Sequence, residues 1–321
     1  MWDFKTGKAL EAMAKTSPFI IFRIIVYFSI ALAYALGTGT GAGVGYMVTA
    51  FGDEPGSGAG IGGFVAFGAV SAILYWAREY LLYLVKAGHI AVLVKLMDGE
   101  VLPRGKGQID YAQGLVRERF KEASVLFALD QIIKGVLKAV NGLLMTFASL
   151  LPIPALQGLL SFVQKVLNLS LTYVDEIILA YNIRSGIENP WEGGKDALIL
   201  YAQNYKMMLK NAFFLMLIQY GLAFIIFLLI VGPVAALATQ LSEGTGTWSI
   251  LIAVIFAWSF KAALLEPFAI AALMQVYFKT VEGQQPDPEW DEKLSGVSGH
   301  FRDLKAKALS WIGASTTPST K

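Results

Sequence analysis

The apolar stretch from about Pro18 to Phe51 limits this chain more than any other feature. It exceeds the apolar core of a signal peptide, about 7–15 residues, and no cleavage site follows it. It also exceeds the roughly 20 apolar residues that carry a helix across a bilayer. Lipid offers the backbone no hydrogen-bond partner, so a segment crossing it must close its bonds internally, as a helix does. The composition agrees. Hydrophobic residues make up 55% and charged residues 16%, and mean hydropathy is +0.56, which excludes an ordinary soluble domain and a disordered chain.

Three further spans follow the same logic. Residues 18–86 form a first transmembrane pair, split at the turn chemistry of residues 52–60. Residues 211–278 form a last pair, split by a short linker near Glu243. Residues 1–17 read as an amphipathic N-terminus. Residues 87–122 and 183–210 read as charged or polar loops, with a surface helix around Ile109–Val125 and a helix starting near Lys195. Residues 279–321 read as a tail with an amphipathic helix, whose face of Phe301, Leu304, Ala308, Trp311 and Ile312 suits a membrane interface. Residues 123–182 read as a helical hairpin with Leu151-Pro152-Ile153-Pro154 at its tip. Its charge-free arms are about a dozen residues each, roughly 18–20 Å, which is short for a span of about 30 Å. Re-entry and two further crossings both remain open. The fold class is therefore all-α: a polytopic membrane helix bundle of four spans plus this hairpin.

Orientation follows from the basic residues. The linkers 52–61 and 241–247 contain no Lys or Arg, whereas residues 87–122 and 279–321 contain six each. Cytoplasmic loops collect such residues, so both termini and both large loops belong in the cytoplasm, with the chain in the inner (cytoplasmic) membrane.

Several residues could carry chemistry. Gly37, Gly41 and Gly45 recur every four residues on one helix face, and either close helix packing or a glycine-lined pore explains them. Lys261 and Glu266 lie well inside the last span, where an ionisable group costs at least about 2.5–3.5 kcal/mol and is paired, buried or functional. Five residues apart, they face about 140° from one another on a regular helix, which predicts partners elsewhere: Asp130, Asp175 or Glu176 for Lys261, and Arg78 or Lys134 for Glu266. Pro267 bends the preceding turn. Asp175 and Glu176, flanked by Tyr173 and Tyr181, offer a cation or proton site if one of them faces the bundle. Arg78 and Glu79 sit in an aromatic band and read either as interface anchors or as a substrate site.

No cysteine exists, so thiolate metal sites and thiol nucleophiles are excluded, and two histidines leave little for a metal centre. No Walker loop, HExxH or GxSxG occurs. The expectation is a non-enzyme with no metal and no cofactor. The net charge of +2 points to no nucleic-acid partner. The expected partners are the lipid bilayer, a small-molecule substrate, and a second copy or a membrane complex.

Gly62-Gly63-Phe64-Val65-Ala66-Phe67-Gly68, followed by Arg78-Glu79-Tyr80-Leu81-Leu82-Tyr83, resembles a "G-x-x-A-F-G-S … R-x-x-x-E-Y" helix of choline transporter-like proteins. Ala180-Tyr181, then Gly194 to Asn204, is similar to that family's "A-Y … S-A-x-x-A-F-x-L-L-x-x-N". The closing span from Ala257 to Phe278 is similar to its last helix. The resemblance covers about residues 60–295. It implies a polytopic transporter, with organic cations or lipid precursors as the substrate class. The leading expectation is thus transport of a small solute, possibly an organic cation such as choline. The alternative is a membrane scaffold or complex subunit, in which the glycine ladder and amphipathic termini mediate packing.

Overall fold

The structure is a computed structural model. It describes residues 1–50, 55–102, 107–120, 123–149, 171, 173–241 and 246–315; for residues 55, 75–84, 118–120, 123–124, 126, 143–149, 234–235, 237–241, 246–252 and 312–315 it describes the backbone alone. The described residues form helices joined by short turns, without strands: α1 (Thr6–Lys15), α2 (Ser17–Thr49), α3 (Pro55–Met97), α4 (Gly107–Phe120), α5 (Ala123–Ser149), α6 (Val174–Ser185), α7 (Pro190–Gln203), α8 (Tyr205–Leu241), α9 (Gly246–Phe260), a π-turn (Lys261–Leu265), α10 (Glu266–Val281), α11 (Pro288–Val297) and α12 (Gly299–Ser315). Among the described residues, four stretches are long and apolar enough to cross a membrane: Ser17–Thr49, Gly56–Leu74, Tyr205–Pro233 and Ala253–Val281. The chain is an all-α, multi-pass membrane protein. The hairpin tip at residues 151–154 and the side chain of Arg78 lie outside the described residues.

Two compact units divide the chain. One comprises residues 19–85 and 219–267 and is called the span unit below. Leu222, Phe224, Ile225, Leu228 and Leu229 of α8 are exposed there, an apolar surface that suits lipid contact. In this unit α2 meets α3. A Cβ on Gly37 would lie 2.5 Å from Val70 Cγ2; on Gly41 it would meet Ala66 and lie 2.5 Å from the Gly62 carbonyl oxygen; on Gly45 it would meet the Gly58 carbonyl. Gly39 and Gly43 face open space. The row 37/41/45 therefore meets a second row, 58/62/66/70, running the opposite way. Among the described residues, this is a packing face rather than a pore lining.

The other unit comprises residues 1–18, 86–218 and 268–321 and is called the helical unit. In it α7 packs between α6 and α12, and α5 packs on α12. Asn189 caps α7 by accepting from the N–H groups of Trp191 and Glu192, and Pro190 occupies the first turn. The helix therefore begins five residues before the expected start near Lys195, because Asn-Pro is a start signal as well as a turn signal. The expected interfacial face of α12 is also corrected. Phe301, Leu304 and Ala308 are buried in the helical unit, where Asn189 Nδ2 donates to the Ala308 carbonyl at 2.8 Å. Amphipathicity alone does not tell a lipid surface from a protein groove. Gly186, at φ 70°, lets the chain leave α6 in the left-handed region that other residues avoid.

Candidate functional site

In the span unit, α9 meets Pro267, which has no N–H to donate to the carbonyl four residues back, and the helix loosens by one residue. Glu266 N–H donates to the Lys261 carbonyl, an i to i+5 bond, so residues 261–265 form a π-turn. Two consequences follow. The Ala262 carbonyl loses the donor that a regular helix would supply, and Arg23 Nη2 takes its place at 2.7 Å. Lys261 and Glu266 also rotate onto one side, and Lys261 Nζ lies 3.8 Å from Glu266 Oε1. The expected 140° separation holds only for a regular α-helix; widening the turn removed it.

Glu266 has a second partner that the sequence reading missed. Arg23 Nη2 lies 3.2 Å from Glu266 Oε2, and Arg23 is 1% exposed against 14% for Glu266. The Arg23 guanidinium also lies 5.7 Å over the Tyr27 ring, while its Nε has no hydrogen-bond partner. Gln219 Nε2 donates to the Leu265 carbonyl at 3.0 Å, another backbone group of the loosened stretch held by a side chain. Tyr27, Ile30, Ala262 and Ala263 pack around this point, and Ser259 Oγ donates to the Tyr27 carbonyl. The ionisable side chains described in the span unit, tyrosines aside, are Arg23, Lys261 and Glu266: two cations and one carboxylate.

The remaining acidic candidates gather in the helical unit, outside the four apolar spans. Lys134 Nζ lies 2.8 Å from Asp130 and 3.9 Å from Asp175, so the two aspartates share one lysine. Lys86 Nζ lies 3.0 Å from Glu176 Oε1. Burial pushes the Asp175 carboxyl well above the usual carboxylate range, and the neighbouring Glu176 adds to the shift. Burial works against Glu176 as well and is the largest single influence, but the Lys86 charge and the hydrogen bonds with Asp175 and Lys86 together outweigh it and hold Glu176 low. Burial raises Asp130, against the pull of Lys134. None of these carboxylates pairs with Lys261, and Lys134 is taken by the aspartates rather than Glu266. Among the described residues no group of His, Cys, Asp or Glu could hold a metal ion.

Arg23, Lys86 and Gln219 escaped the sequence reading. Arg23 left a signal: it stands alone as a charge within the Pro18–Phe51 stretch. A charge so placed calls for a carboxylate from another span.

In comparisons with known proteins, no family model, no curated protein and no solved structure matches the chain.

Proposed function

We propose that the protein moves a small anionic solute across the membrane, with Lys261 as the docking charge and Glu266 as its internal counter-ion. One observation carries this reading. Two cations share one carboxylate in the described part of the span unit, and Lys261, 20% exposed, is answered only loosely at 3.8 Å. An anion can approach Lys261 from the accessible side while Arg23 retains Glu266. The resemblance to choline transporter-like proteins supports transport as the class. The surplus positive charge favours an anion over an organic cation at this point, since a cation would meet like charge. A membrane scaffold or complex subunit is the second reading: Gly37, Gly41 and Gly45 pack on α3 and Phe301, Leu304 and Ala308 are buried, while the exposed apolar face of α8 fits a partner helix as well as lipid.

The test is uptake by proteoliposomes across a panel of small carboxylates, inorganic phosphate, choline and a neutral solute. Flux of one anion, lost in Lys261→Gln and retained in Lys261→Arg, supports the reading. Choline flux insensitive to Lys261→Gln overturns the assignment of the charge. Absence of flux for the whole panel overturns transport.

A further inference from the structure

A cleft of about 820 Å³ opens in the helical unit, within the usual size of small-molecule sites. Its walls come from α1, the end of α3, α6, and α10 with the turn that follows it. The charges on the wall do not balance. Asp3 is answered by Lys210 at 2.6 Å, Glu11 by Lys15 at 2.7 Å, and Arg184 by Asp98 at 2.8 Å. Lys5, Lys8 and Lys279 have no carboxylate within ion-pair distance among the described residues, and Glu282 is the remaining wall anion. Three ammonium groups therefore face one carboxylate.

The wall bearing two of them is held in place. Asp3 N–H donates to Asn211 Oδ1 at 2.7 Å, Asn211 Nδ2 donates back to Asp3 Oδ2 at 2.7 Å, and Lys5 N–H donates to Gln275 Oε1 at 3.2 Å. The Phe4 ring meets Phe268 edge-on at 6.4 Å. The N-terminal segment thus docks on α8 and α10 before any ligand arrives, which reduces the ordering cost of binding. Met97 and Phe278 supply apolar wall, and the Arg184 guanidinium lies 4.4 Å over the Phe278 ring.

We propose that this cleft binds a phosphate-bearing anion of two or more negative charges, held by Lys5, Lys8 and Lys279 beside the apolar wall of Met97 and Phe278. A single carboxylate would neutralise one ammonium and leave the surplus; a phosphomonoester or diphosphate matches it. The volume admits a body of nucleotide size. A free phosphorylated metabolite and a phospholipid headgroup both present this chemistry. This inference does not rest on the transport reading, and its test reads binding with no flux.

The experiment uses the full-length protein in detergent and in nanodiscs, comparing wild type with Lys8→Gln/Lys279→Gln and with the control Lys138→Gln/Lys206→Gln. Calorimetry with pyrophosphate and ATP up to about 1 mM reads the soluble source. Retention of phosphatidylglycerol over phosphatidylcholine, read by native mass spectrometry, reports the lipid source. Binding of a soluble anion, weakened at least about tenfold in Lys8→Gln/Lys279→Gln and unchanged in the control, supports the site and names a metabolite. Selective lipid retention lost in that variant alone supports the site and names a headgroup. Absence of both, or equal loss in both variants, overturns it. A chain bearing Lys8→Arg and Lys279→Arg should retain binding, which separates charge from folding.

Discussion

Arg23 Nη2 and Glu266 Oε2 lie 3.2 Å apart although 243 residues separate them in the chain, and the same guanidinium nitrogen holds the Ala262 carbonyl that the π-turn frees. This ties the first span to the last through one side chain. Removing Glu266 leaves the buried guanidinium without its carboxylate, and removing Arg23 leaves Glu266 only its looser partners, Lys261 among them, a loss of up to about 3–5 kcal/mol. Arg23→Met and Glu266→Gln should each lower stability in detergent by that order, measured by size-exclusion thermal stability. Arg23→Met with Glu266→Leu should recover most of the loss. A double variant as unstable as the sum of the singles would show that the two residues do not act as a pair.

The glycine contacts predict a sharp difference between neighbours. Gly45→Ala places a methyl on the Gly58 carbonyl, backbone against backbone, and should destabilise by about 1–3 kcal/mol. Gly39→Ala and Gly43→Ala meet open space and should be tolerated. Equal effects at Gly45 and Gly43 in the same unfolding assay would contradict the α2–α3 contact.

Asp175 predicts a dependence on pH. Its carboxyl is raised in the folded state, so between its unfolded value of about 4 and its folded value the native chain binds more protons than the unfolded one. Stability therefore falls as pH rises through that window. Glu176, held low by Lys86 and Asp175 together, acts in the opposite sense, contributing stability above about 4 that is lost on acidification. Asp175→Asn should gain on wild type as pH rises from about 4 towards neutrality, and the difference should vanish in stronger acid. Melting temperatures across a pH series check it, and a constant offset at all pH values would contradict the shift.

Orientation is accessible to labelling, because the chain has no cysteine of its own. A cysteine at Ser57 should react with an impermeant maleimide added outside the cell. Reaction only after the cytoplasmic side is opened would reverse the expected topology.

The spans were legible because apolar runs of bilayer length have few other solutions. The acidic candidates were legible as a group, and Asp130, Asp175 and Glu176 do come together. The Asp130–Lys134 pair is local, four residues apart on α5, but Lys134 reaches Asp175 and Lys86 reaches Glu176 through tertiary packing that no local spacing encodes. Lys261 and Glu266 were singled out, but their relationship was misjudged: the geometry assumed was that of a regular helix, and Pro267 changed it. Arg23 is visible in the sequence but ambiguous there, since a basic residue near the start of a span serves equally as an orientation signal or a buried counter-charge.

The two facing rows of α2 and α3 also carry an index. Glycines repeating every fourth residue are ambiguous, since sliding one helix by about 6 Å brings a glycine back onto a glycine. The row on α3 is graded, however: Gly58 and Gly62 give way to Ala66 and then Val70. The backbones approach most closely near Gly45 and are held further apart at Gly37, where a valine intervenes. A slip that carried Val70 towards Gly41 would drive its methyls into backbone; the reverse slip would open voids along the seam. The gradient turns a repeating contact into one with a single setting, so this pair resists shear.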